Sequence, residues 1–131
     1  MQPNQFMDAI QSVVSKDKRY DIEAYFTLKE ALDFTVKKAA EENGGKHRHV
    51  SAKELTIGFR SFMLENYGPM SSTLVTEWGM QTTLDIGNMV FLLIDEGIFG
   101  KQDSDELKEF DNVFHLIDEL DRPFLPEKLT T

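Results

Sequence analysis

No cysteine occurs among the 131 residues. Disulfides, thiolate nucleophiles and cysteine-ligated zinc or iron–sulfur centres are therefore excluded. No apolar run reaches the roughly 18 residues that a bilayer-spanning helix requires. The N-terminus, MQPNQFMDAIQSVVSKDK, has neither a basic leading segment nor a long apolar stretch. A secretory signal is not expected, and the cytoplasm is the expected location. Short catalytic patterns are missing too: there is no Gly-x-Ser-x-Gly, no His-Glu-x-x-His and no Gly-x-x-x-x-Gly-Lys. Lys and Arg are absent from the whole of residues 61–100.

What is present describes a globular chain. Hydrophobic residues make up 40% and charged residues 28%, enough apolar content for a core in one domain spanning 1–131. The charge is uneven. Residues 1–60 hold ten Lys/Arg and nine Asp/Glu, residues 61–100 five acids and no base, and residues 101–131 four bases and nine acids. The second half repels polyanions at long range.

Apolar spacing predicts a mainly α fold of about five helices, with its core over about 4–120. Phe6, Ile10, Val13 and Val14 mark a helix over 4–15. Asp21 is placed to cap a long second helix whose inner face carries Ile22, Tyr25, Phe26, Leu32, Val36, Ala39 and Ala40. Asp33, Thr35, Lys37, Lys38, Glu41 and Glu42 are expected mostly to face water. Asn43-Gly44-Gly45 ends that helix. Ser51-Ala52-Lys53-Glu54 is a capping box, opening a helix that carries Leu55, Phe59, Phe62 and Met63 to Tyr67. Gly68-Pro69 separates it from a short helix at 70–78, which Gly79 ends. Thr82 or Thr83, with Asp85, starts a helix to 96 whose apolar residues cover most of its sides. Gly87 inside it points to a close neighbour, because glycine there costs about 1 kcal/mol against alanine.

The helix pair 70–78 and 82–96 with the exit Gly97-Ile98-Phe99-Gly100 has the layout of a winged helix-turn-helix. The expectation is therefore a winged-helix-like second half with a short β-hairpin or irregular wing near 98–114, although Leu107, Phe110, Phe114 and Ile117 also fit a helix. A final helical piece is expected from about Asn112 to Leu120. An extended tail follows over 121–131, with Phe124 as its anchor. DNA reading through helix 82–96 is disfavoured: it offers Asn88 beside Asp85, Asp95 and Glu96, and no cation.

Lys37, Lys38, Lys46, Arg48 and Lys53 form the one basic concentration and are the candidate anion contacts of an alternative nucleic-acid-binding reading. Glu41 and Glu42 interrupt them, and a helix C-terminus with a solvated loop is the favoured account of them. His47 and His49 share an ion only in an extended segment with a third ligand such as His115, and Arg48 between them opposes a dication. No metal, cofactor or catalytic set is assigned. The methionines and aromatics of the second half are expected to be mostly core. Any that stay exposed would form a protein-contact patch, and Met70, Met80, Phe99 and Phe124 are the candidates.

Glu23-Ala24-Tyr25, Ser51-Ala52-Lys53-Glu54-Leu55, Tyr67-Gly68-Pro69-Met70, Glu77-Trp78-Gly79 and Asp85-Ile86-Gly87-Asn88-Met89-Val90-Phe91 together resemble a family of short conserved hypothetical proteins of Planctomycetes and Verrucomicrobia. The likeness spans about residues 20–115, and Trp-Gly and Ile-Gly-x-x-Val-Phe are its most distinctive parts. It implies a discrete bacterial domain and carries over no site residues. The function expected from the sequence is a non-enzymatic interaction or adaptor domain, with a protein partner or a second copy as its target, and without membrane or cofactor.

Overall fold

The computed structural model describes residues 3–99 and 106–126, with side chains from Gln5 onward. Among the described residues six α-helices follow in order: α1 Pro3–Lys16, α2 Ile22–Glu42, α3 Ala52–Tyr67, α4 Ser71–Glu77, α5 Thr83–Asp95 and α6 Leu116–Asp121. Short 3-10 turns lie at Gly68–Met70, Leu107–Phe110 and Arg122–Phe124. Among the described residues no helix is long and apolar enough to cross a membrane.

Local chemistry sets these boundaries. The Asp21 carboxylate accepts from Glu23 N at 2.9 Å and opens α2. Ser51 Oγ accepts from Glu54 N at 3.1 Å while the Glu54 carboxylate accepts from Ser51 N at 3.0 Å, the reciprocal cap of α3. At α5 the Asp85 carboxylate accepts from Thr82 N at 3.0 Å and Gln81 N at 2.7 Å. Each removes orphan donors of a first turn. Gly79 ends α4 with φ +91, and a Cβ there would run into the Arg19 carbonyl. Both the conformation and the space therefore demand glycine.

Phe6, Ile10 and Val13 of α1, Tyr25 and Leu28 of α2, Phe59 and Met63 of α3, and Ile86, Met89 and Leu93 of α5 meet in one core. Fully burying side chains of this size stabilises by about 1.5–3 kcal/mol each before entropy is set against it. α2 packs along α3, and their closest approach explains a departure from expectation. Thr35 does not face water. It is buried and its hydroxyl donates to Ala31 O at 2.7 Å. A Cβ on Gly58 would overlap the Thr35 side chain, so glycine on α3 makes room for a self-satisfied threonine on α2.

The wing and hairpin expected near 98–114 are not there among the described residues, and the winged-helix comparison goes with them. Ile98 and Phe99 form a bend, Leu107–Phe110 is a 3-10 turn, and no strand is present among the described residues. Residues 100–105 of that expectation lie outside the described residues. The reason lies on α5. A Cβ on Gly87 would stand 2.6 Å from Phe110 Cδ2, so the Phe110 side chain occupies the space that glycine leaves. Thr83 Oγ1 then donates to Phe110 O at 2.7 Å and accepts from Val113 N at 3.1 Å. Backbone groups that a hairpin would pair are satisfied by a buried hydroxyl instead. The last helix starts at Leu116 rather than Asn112, and Arg122–Phe124 is a 3-10 turn rather than part of an extended tail. Residues 127–131 of the expected tail lie outside the described residues.

Candidate functional site

Two apolar regions among the described residues take up three of the four apolar candidates. The first lies where α4 begins and α6 ends. Gly68-Pro69 turns the chain after α3, and the buried Ser71 hydroxyl sits within hydrogen-bond reach of Met63 O at 3.0 Å and Gly68 O at 2.8 Å. One residue on, Ser72 Oγ donates to the Asp121 carboxylate at 2.5 Å, which ties the start of α4 to the end of α6. Met70 precedes that bond, and Phe124 and Leu125 follow it. Their exposures are 59%, 46% and 53%. Phe124 is thus presented to solvent and does not anchor the tail. Glu119 beside them is held by Arg60 at 3.3 Å and Arg122 at 2.9 Å, and the Arg60 guanidinium lies over the Phe114 ring at 5.2 Å.

The second region is a cavity of about 360 Å³ between α2, α5 and the start of α3. Leu32 and Val36 of α2 face Val90, Phe91 and Ile94 of α5 across it, all half-buried, and the buried Leu28 and Leu55 also line it. Ile98 and Phe99 close one side. Phe99, expected as a protein contact, is a wall of this cavity. Among the described residues the polar lining is Arg48, His49, Ser51 and Glu106.

Met80, the remaining apolar candidate, is completely buried. Gly79 turns the chain back toward the core there, with Met80 N donating to Val75 O at 2.9 Å. It is a core residue. Leu125 was not singled out by the sequence, since a leucine beside two prolines carries no periodic signal.

The basic candidates are all exposed, but they do not form a free cationic face. Arg48 grips Glu54 through two bonds, Nη1 to Oε1 at 3.0 Å and Nη2 to Oε2 at 2.7 Å. That guanidinium and the Ser51 N–H bring the Glu54 carboxyl down to about 2. Lys38 and Arg48 share a surface hollow with Glu42 and Glu54. No group of three His, Cys, Asp or Glu side chains able to hold a metal exists among the described residues. His115 pairs with Asp118 at 3.2 Å.

α5, the helix that would enter a DNA groove, turns Asp85 and Asn88 toward the buried Tyr20. Tyr20 Oη donates to Asp85 Oδ1 at 2.5 Å, and Asn88 Nδ2 donates to Tyr20 Oη at 2.9 Å. Burial, reinforced by Asp85, raises the Tyr20 hydroxyl well above its ordinary range. Burial likewise pushes the Tyr25 hydroxyl up to about 12, and this group has no hydrogen-bond partner among the described residues.

The chain matches no family model, and comparison with curated proteins and with solved structures gave no match. Neither surface rests on the family resemblance, which assigned no site residues.

Proposed function

We propose that the chain is a non-enzymatic interaction domain that docks a protein partner on the apolar end formed by Met70, Phe124 and Leu125. The observation that carries this reading is the Ser72–Asp121 bond, which ties together the two segments that carry the exposed Met70, Phe124 and Leu125. Isolated exposed apolar residues need no explanation, but a cluster at one end of a molecule favours a contact. Charge favours a separate partner over a second copy. Residues 61–131 carry fourteen acids against four bases, so two such ends would oppose like charge, whereas an apolar anchor flanked by cations would complement it.

The non-catalytic part of the reading is supported by what perturbs the titrating groups. Glu54 is shifted by a helix cap and its arginine, and Tyr20 by burial and a helix-start carboxylate. The Glu54 shift follows from its arginine and the helix cap and the Tyr20 shift first from burial, and neither reflects a poised acid–base pair. The nucleic-acid alternative is weakened by Arg48, whose fork is already filled by Glu54.

The test uses the wild-type chain and the double substitution Met70→Asp, Phe124→Asp as baits in native lysate. A partner retained by wild type and lost by the variant, with an unchanged melting temperature, is the expected outcome. Equal retention by both baits overturns the assignment of this surface.

A further inference from the structure

The cavity between α2 and α5 lies apart from the proposed docking end, and its chemistry differs. We propose that it is a binding site for a small, uncharged, lipophilic molecule: a hydrocarbon chain or ring with at most one hydroxyl or carbonyl group. Three observations define that class. The volume of about 360 Å³ lies at the lower end of the range typical of small-molecule pockets, about 300–1,000 Å³. The facing walls are aliphatic and aromatic on both helices, with Leu32 and Val36 opposite Val90 and Ile94. Half-burial of these side chains leaves apolar surface that an occupant would remove from water.

The third observation is the state of the charges at the mouth. Arg48 is engaged by both oxygens of Glu54, and Glu106 is paired with Lys108 at 3.1 Å. An ionised head group would lose hydration on entry and meet these already paired ions, so an ionised ligand is penalised. A neutral polar group gives up little and remains near the polar atoms at the rim. The same bonds fix the Arg48–Ser51 edge of the mouth, because Glu54 also caps α3 through Ser51.

The probes are 1-octanol, octanoate and octylammonium, titrated into the 131-residue chain while methyl and amide resonances are followed by NMR. Saturable shifts at Leu32, Val36, Val90 and Ile94 are expected with 1-octanol. The two ions should bind about tenfold or more weakly, a difference of about 1.4 kcal/mol. Val90→Trp, which fills the cavity, should abolish the 1-octanol response. Val36→Phe serves the same purpose if the first variant does not fold. Met70→Asp, Phe124→Asp should leave it intact, which separates this site from the docking surface. Absence of a saturable response, a response centred elsewhere, or octanoate binding as tightly as 1-octanol overturns the proposal.

Discussion

Two helices of this chain begin with the same device and depend on it differently. α3 starts at Ser51 with Glu54 at its third position, and α5 starts at Thr82 with Asp85 at its third position. Both acids accept backbone N–H groups. Glu54 stands in a half-exposed pair with Arg48, six residues away in sequence. Asp85 takes its further partner from Tyr20, 65 residues away. Tyr20 is itself buried and in turn receives Asn88. The first cap is a local convenience. The second joins the loop after α1 to the start of α5, so it bears on tertiary structure as well as on one helix.

Substitution should expose that inequality. Asp85→Ala removes the side-chain acceptor of two backbone N–H groups and leaves the Tyr20 hydroxyl without its carboxylate. A loss of about 2–4 kcal/mol is expected by chemical denaturation. Glu54→Ala should cost about 1 kcal/mol, and equal losses at the two positions would erase the contrast.

A second probe acts on the other face of α5. Gly87→Ala pushes a methyl group into the Phe110 ring and should destabilise by about 1–3 kcal/mol, despite alanine's better helix propensity. Hydrogen exchange should show the loss concentrated at Thr83 and Val113, whose bond holds the 107–113 segment to α5. A stabilising Gly87→Ala would refute the close packing.

The smallest effect belongs to the exposed cap. Glu54 has a folded value near 2, below the unfolded carboxylate value of about 4.3. Its contribution is therefore fully present above that unfolded value and is lost as pH falls toward 2. Solvent screening keeps it below about 1 kcal/mol. Arg48→Ala should move the Glu54 titration, followed by carboxyl NMR, up toward the ordinary range with little change in melting temperature at neutral pH.

The sequence announced the local half of this design. Asp21, the Ser51–Glu54 box, the stops at Gly68 and Gly79, and a close neighbour at Gly87 all follow from short-range chemistry. What stayed hidden depends on distant partners. Nothing near Thr35 says that Gly58 would admit it to the interior. Nothing near Phe110 says that it fills the gap at Gly87, so the apolar spacing of 107–117 fitted a strand and a helix alike. Of the contact candidates, Met70 and Phe124 are exposed, whereas Met80 is core and Phe99 lines the cavity. The difference between Met70 and Met80 lies in a chain reversal at Gly79, which composition alone does not resolve.

The bonds that reach across the sequence carry a consequence for synthesis. Ser12 and Lys16 of α1 hold Glu96, and Tyr20 holds Asp85. α1 is made first, yet these partners do not exist until α5 has left the ribosome. Ser12, Lys16 and Tyr20 must therefore remain without those partners, and α1 without its packing on α5, while most of the chain is translated. Contacts this long in sequence slow folding relative to a bundle of nearest neighbours. A nascent chain stalled before residue 83 should consequently leave α1 open to proteases and chaperones, and one stalled well beyond residue 96 should protect it.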